Sequence, residues 1–115
     1  DTIILGAPNI VRGGSHKRGL AAADAVRDGI CDVLVSDYHY PALRQAALML
    51  EADGIEAWPL ISSAPARALG LTDRGVLEPG KRADLCVLDP DGRVVGTMAG
   101  GRWSYVTAPL FEALP

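Results

Sequence analysis

The feature that most limits what this chain can fold into is Val33-Leu34-Val35, an unbroken apolar run inside Asp32–Ser36 (DVLVS). An exposed strand alternates apolar and polar residues, whereas a continuous run belongs to a strand covered on both faces. Thr2–Leu5 is a second run of this kind, stopped by Gly6 and Pro8. Each is followed by a loop and then by apolar residues at helical spacing. After the first run the loop is Asn9–Gly19. Ala22, Ala25 and Val26 then predict a helix over Leu20–Asp28, with Gly29 as its stop. After the second, Pro41 opens a helix in which Leu43, Ala46, Ala47 and Leu50 recur at i, i+3, i+4 and i+7 up to Gly54. Strand, helix, strand, helix is the rhythm of a parallel sheet or barrel.

Beyond Gly54 the texture changes. Ile55–Ser63 reads as helical and Pro65–Leu69 as a short helix closed by Gly70. Turn residues follow, and three short strands are expected at Ala83–Leu88, Val94–Met98 and Trp103–Val106. They are separated by Asp89-Pro90-Asp91-Gly92 and Gly100-Gly101. Hairpin turns between short strands predict antiparallel pairing. The expected organisation is therefore α/β over residues 1–70 and mainly antiparallel β over 71–115. Aromatic residues make up only 5% of the chain, so the core must be built from Ala, Leu, Val and Ile. Asp1 stands where an initiator Met is usual, and the chain is expected to be a piece of something longer.

Charge and ligand chemistry exclude several functions. A net charge of −3 argues against nucleic acid as a partner, and no apolar run is long enough for a membrane span. Cys31 and Cys86 each lie in an apolar run and read as buried reduced thiols, which favours a cytoplasmic setting. With two histidines and no C-x-x-C, H-x-H or H-E-x-x-H spacing, the chain alone does not supply a complete metal site.

Four segments have the residue types for chemistry. Gly75–Lys81 has the spacing of a phosphate loop, but Arg82 stands where Ser or Thr is required, and a strand follows instead of a helix. A polar turn before a strand is the better reading. Asp37 ends a buried strand, where barrels place catalytic groups. Its carboxylate there suits metal binding or proton transfer, and equally an ordinary helix N-cap. Arg12-Gly13-Gly14-Ser15-His16-Lys17-Arg18 is basic and glycine-rich, as either an anion cradle or a solvated loop. A Ser15/His16/Asp37 triad is disfavoured, because adjacent Ser and His side chains rarely converge. His39, between Tyr38 and Tyr40, suits either a substrate contact or a packed rim.

Gly6-Ala-Pro-Asn9-Ile-Val-Arg12-Gly13-Gly14-Ser15-His16, Ser36-Asp37-Tyr38, the segment from Pro65 to Gly75, and Pro79-Gly-Lys-Arg-Ala-Asp84-Leu together resemble the C-terminal part of the amidohydrolase superfamily. The last motif occurs across many members. The first resembles a phosphonate-metabolism branch of metal-dependent diphosphatases in the carbon–phosphorus lyase pathway. Lys17-Arg18-Gly19 and Ala64 depart from that branch, which usually has small polar residues and Asn there.

The resemblance implies that residues 1–70 are the last two βα units of a (β/α)8 barrel, and 71–115 part of a companion β-sandwich. Asp37 would be the catalytic and metal-binding aspartate. Arg12, Gly13, Gly14, Ser15, His16 and Lys17 would bind a small phosphorylated substrate. A divalent metal, zinc by expectation, would take its other ligands from outside this chain. The implied reaction splits a sugar 5-triphosphate between its α and β phosphates. The isolated piece is expected to be inactive, and to associate with itself or with the rest of its barrel. The alternatives are another amidohydrolase acting on C–N bonds, dihydroorotase-like or deaminase-like, and a non-enzymatic α/β interaction module.

Overall fold

The computed structural model describes residues 1–12 and 23–115, and they fall into two compact units, Asp1–Gly70 and Leu71–Pro115. The chain is mixed α/β. In the first unit β1 (Ile4–Gly6) pairs in parallel with β2 (Val33–Val35), in the register Ile4 to Val33, Leu5 to Leu34 and Gly6 to Val35. The pairing begins one residue earlier as an anchor. The Ile3 amide donates to Asp32 Oδ2 at 2.8 Å, and the Ile3 carbonyl accepts from the Asp32 and Val33 amides.

Between the strands the structure corrects the expected loop. Ala7–Val11 is a helix, α1. Pro8 lies in its first turn, where a missing N–H costs no hydrogen bond, so the residue that seems to stop the strand instead starts a helix. Residues 23–27 are helical, as their spacing predicts, and the rest of that expected helix lies outside the described residues.

Helix α2 (Pro41–Ala52) follows β2 and turns Ala42, Ala46, Ala47 and Leu50 into the core. These meet Ala7 and Ile10 of α1, Leu34 of β2, and Val26, Cys31 and Ala57. The core consists of small and branched aliphatic residues, with Leu34 and Leu50 its largest fully buried side chains. Burial raises the Cys31 thiol pKa, only partly offset by its hydrogen bonds to backbone. Cys86 corrects the expectation of two buried thiols: it is free and exposed.

The helix expected over Ile55–Ser63 is a single 3-10 turn at Trp58–Ile61. Pro59 has no N–H to donate to the Ile55 carbonyl, so an α-helix does not run through it. Glu51 Oε1 closes this turn instead, accepting from the Ala57 amide at 2.8 Å and the Trp58 amide at 3.2 Å. Helix α3 (Ser63–Ala68) begins two residues before Pro65, which again falls in a first turn.

The second unit holds one antiparallel sheet, β3 (Leu85–Leu88), β4 (Val94–Ala99) and β5 (Arg102–Val106), in the order of the chain. Ala99 pairs with Arg102, leaving Gly100-Gly101 as a two-residue hairpin loop with φ of 58° and 81°. Positive φ at both positions is what such a turn demands. Helix α4 (Ala108–Ala113), not expected from the sequence, lays Leu110 against Gly96 of β4.

Asp84 ties this unit together. Its Oδ1 accepts from the Gly100 amide and from Arg82 Nε, both at 2.7 Å, and Arg82 Nε also reaches Oδ2 at 2.9 Å. The Gly100 amide, and next the Arg82 guanidinium, lower the pKa of this carboxyl below the ordinary aspartate value. A lowered folded-state pKa favours the ionised form. The contribution to stability is therefore complete above the ordinary range and is lost as pH falls through the lowered value. Acidification below about pH 4 should loosen the β4–β5 turn. Asp84→Asn should lower stability at neutral pH and flatten the acid dependence, as read by thermal unfolding across that range.

Candidate active site

Two connections leave the paired strands at the same level. After β1 the chain passes from Gly6, the N-cap of α1, directly into that helix. After β2 it turns through Ser36-Asp37-Tyr38, with the His39 amide donating to the Ser36 carbonyl at 3.1 Å. Asp37 has φ of 56°, the only positive value at a non-glycine residue among those described. That conformation costs about 1 kcal/mol or more for most L-residues, and less for Asp and Asn.

This turn brings Asp37 over the end of β1. A Cβ placed on Gly6 would lie 3.4 Å from Asp37 Oδ2 and 3.7 Å from Asn9 Nδ2. The absence of that atom leaves a small space bounded by a carboxylate and a carboxamide. Asn9 is in turn held by Arg12, whose Nη2 donates to Asn9 Oδ1 at 3.2 Å while its Nε donates to the Pro8 carbonyl at 3.3 Å.

The helix-cap reading of Asp37 is set aside, because Tyr40 is the N-cap of α2 and no side chain caps that helix. Asp37 is exposed, and its carboxylate is not engaged in any hydrogen bond or ion pair with another described residue. It fits the role of one metal ligand. No group of three or more His, Cys, Asp or Glu side chains gathers anywhere among the described residues, so these residues alone do not form a three-ligand metal site.

The other candidates sort clearly. Gly13, Gly14, Ser15, His16 and Lys17 lie outside the described residues. His39, Tyr38 and Tyr40 are all exposed beside Asp37, the tyrosines at 71% and 86%. In the phosphate-loop lookalike, Lys81 Nζ donates to the Thr72 carbonyl at 2.6 Å, and β3 follows with no helix, so the segment is a turn. Asn9 is the residue sequence reasoning passed over. Nothing in its residue type or spacing marks it, because what singles it out is the Arg12 contact at Oδ1 and the space beside Gly6.

A parallel β1–β2 pair with Asp37 beyond its C-terminal end is an α/β arrangement. Residues 38–100, more than half of the chain, match the Amidohydrolase family, and the chain belongs to that family. The matched segment begins at Tyr38, immediately after Asp37, and runs from the turn before α2 into the β4–β5 hairpin.

Among curated relatives, the chain is 45% identical over 89 residues to the alpha-D-ribose 1-methylphosphonate 5-triphosphate diphosphatase of Escherichia coli, which covers 72% of this chain and 24% of that protein. It is 38% identical over 63 residues to an N-acetylglucosamine-6-phosphate deacetylase of Haemophilus influenzae, covering 54% of this chain and 16% of that one. It is 37% identical over 71 residues to an adenine deaminase of Methylobacterium nodulans, covering 60% and 13%. The chain thus spans a quarter or less of the length of these relatives. No helix among the described residues is long and apolar enough to cross a membrane.

The backbone at Asp37 has a measurable consequence. Glycine adopts positive φ freely and alanine does not. Asp37→Ala should be about 1 kcal/mol less stable than Asp37→Gly, with Asp37→Asn close to the parent, in denaturant unfolding. Equal stability of the alanine and glycine variants would contradict a left-handed residue 37.

Proposed function

We propose that this chain is the C-terminal part of a metal-dependent diphosphatase that hydrolyses alpha-D-ribose 1-methylphosphonate 5-triphosphate to the 5-phosphate and pyrophosphate. Its first unit would supply the last two βα units of a (β/α)8 barrel, and its second part of the companion β-sandwich. The observation that carries this reading is the extent of likeness. It reaches 72% of the chain at 45% identity for the diphosphatase, and less of the chain at lower identity for the deacetylase and the deaminase.

The geometry is compatible with that reaction. Asp37 offers an uncommitted carboxylate at a strand end, suited to orient a water and take its proton as the water attacks phosphorus. The bridging P–O bond then breaks and pyrophosphate leaves. Lewis acidity toward water and a phosphoryl oxygen is the chemistry that a divalent cation, zinc by expectation, supplies when bound at Asp37. Gly13, Gly14, Ser15, His16 and Lys17, with Arg12 beside them, would receive the phosphates. This division of labour needs a dense positive, amide-rich loop for the polyanion and a separate proton acceptor.

A second reading, hydrolysis of a C–N bond, is favoured by the deacetylase and deaminase relatives. The same Asp37 would serve it, so the leaving group decides. In the full-length protein, release of pyrophosphate from the ribose triphosphate supports the first reading, and ammonia or acetate release from amine or amide substrates supports the second. Asp37→Asn preserves shape but loses charge and basicity, and should lower kcat by about two orders of magnitude or more. Near-parental turnover in Asp37→Asn would remove Asp37 from the mechanism.

The 115-residue chain on its own should be inactive. Ile3, Ile4 and Val35 are exposed around a sheet of only two parallel strands, which is too small to bury its own apolar surface. We expect self-association, or association with the rest of the barrel when that is supplied, and no pyrophosphate release with added divalent cations. Sedimentation at several concentrations and a pyrophosphate assay measure both, and an active monomer would refute the fragment reading.

A further inference from the structure

The diphosphatase reading uses Asp37 and the basic loop but leaves Asn9 without a task. Three observations give it one. Asn9 Nδ2 and Asp37 Oδ2 flank the same point, the place where a Gly6 side chain would begin. The oxygen end of the Asn9 amide is held by the Arg12 guanidinium. Arg12 is itself fastened to the first turn of α1 through the Pro8 carbonyl.

The amide orientation follows from this chemistry. Turned over, Asn9 would present NH2 to a guanidinium, setting donors against donors. The oxygen must therefore face Arg12, which leaves the NH2 on the side of Gly6 and Asp37. A carboxylate there can take a proton from water but repels an anionic substrate. A neutral donor beside it supplies the attraction that lets a phosphoryl oxygen approach, and strengthens as charge builds on that oxygen during attack.

We infer that Asn9 is a substrate-contacting residue, donating through Nδ2 to the phosphoryl group attacked beside Asp37, and that Arg12 is a positioning residue that fixes the Asn9 amide. The inference rests on the diphosphatase reading. A methyl group at position 6 would touch both Asn9 Nδ2 and Asp37 Oδ2 at ordinary contact distances of 3.7 and 3.4 Å, so glycine there keeps the approach to both groups open.

The test is steady-state pyrophosphate release by the full-length protein, comparing wild type with Asn9→Ala, Arg12→Ala and the double variant, alongside melting temperatures. Asn9→Ala should lower kcat by about 10²-fold, the scale of one lost transition-state donor, with KM and melting temperature nearly unchanged. Arg12→Ala should lower kcat in addition to any rise in KM from the phosphate binding proposed above. The double variant should be no slower than the slower single variant, since both remove one device. Asn9→Asp, which replaces the donor by a second carboxylate, should be slower than Asn9→Ala.

An Asn9→Ala enzyme within a few-fold of wild-type kcat would overturn the assignment of Asn9. Single-variant losses that multiply in the double variant, or an Arg12→Ala effect confined to KM, would overturn the positioning role of Arg12. A wild-type protein that turns over amine or amide substrates and releases no pyrophosphate would overturn the diphosphatase reading, and the phosphoryl contact with it.

Discussion

The parallel pairing of β1 with β2 is the constraint from which the rest of the first unit follows. Because Gly6 pairs with Val35, the two strands end level, and the chain leaves them side by side. One exit enters α1 at once, while the other folds through Asp37 before α2 begins. A slip of one residue would turn every strand side chain to the opposite face and separate Gly6 from Asp37. The register is fixed below the strands by Ile3 and Asp32, through one side-chain and two backbone hydrogen bonds. A contact at the beginning of the sheet thus determines which atoms meet at its end.

Packing carries that constraint outward. Ala7, Ala42, Ala46, Ala47 and Ala57 are almost fully buried, so α1 and α2 meet through small side chains rather than through aromatic rings. Close packing of this kind leaves little freedom for α1 to shift, since interiors tolerate few voids. Burial of Ala7, Pro8 and Ile10 leaves Asn9 and Arg12 on the other side of the same short helix. A core poor in aromatic residues is therefore part of what places the polar groups. All six aromatic side chains, three Tyr, two Trp and one Phe, are exposed, none by less than 37%.

Much of this was legible in the sequence because it depends on local patterning. The apolar runs marked β1 and β2, the spacing of Ala46, Ala47 and Leu50 marked α2, and the Gly100-Gly101 pair marked a hairpin. Proline was misread twice for the same reason. Pro8 stops a strand and Pro59 sits in an apolar run, yet the first begins α1 and the second breaks a helix, and only the fate of the neighbouring N–H distinguishes the two. Asp37 was legible as a strand-end carboxylate, but its left-handed backbone was not, because aspartate tolerates positive φ better than most residues yet adopts it only occasionally. Asn9 was invisible for a different reason. Its importance lies in an amide orientation set by Arg12 and in a side chain that Gly6 lacks, and neither is a property of Asn9 itself.

The two recognisable motifs of the chain carry opposite burdens. Pro79–Leu85 resembles a segment found across many amidohydrolases, and its acidic residue is fully employed. Asp84 accepts from Arg82 and from the Gly100 amide, closing a turn within its own unit. A carboxylate committed in this way has a structural task that does not depend on the reaction catalysed, which is why such a segment suits members with different substrates. The Gly6–Arg12 segment is the reverse. Its glycine leaves a space, its asparagine is turned toward that space, and the carboxylate across it is uncommitted. Under the proposed function, Asn9, held at Oδ1 by Arg12 with its Nδ2 turned to that space, and Asp37 across it await a group from outside. Their identities should then vary with the substrate rather than with the fold.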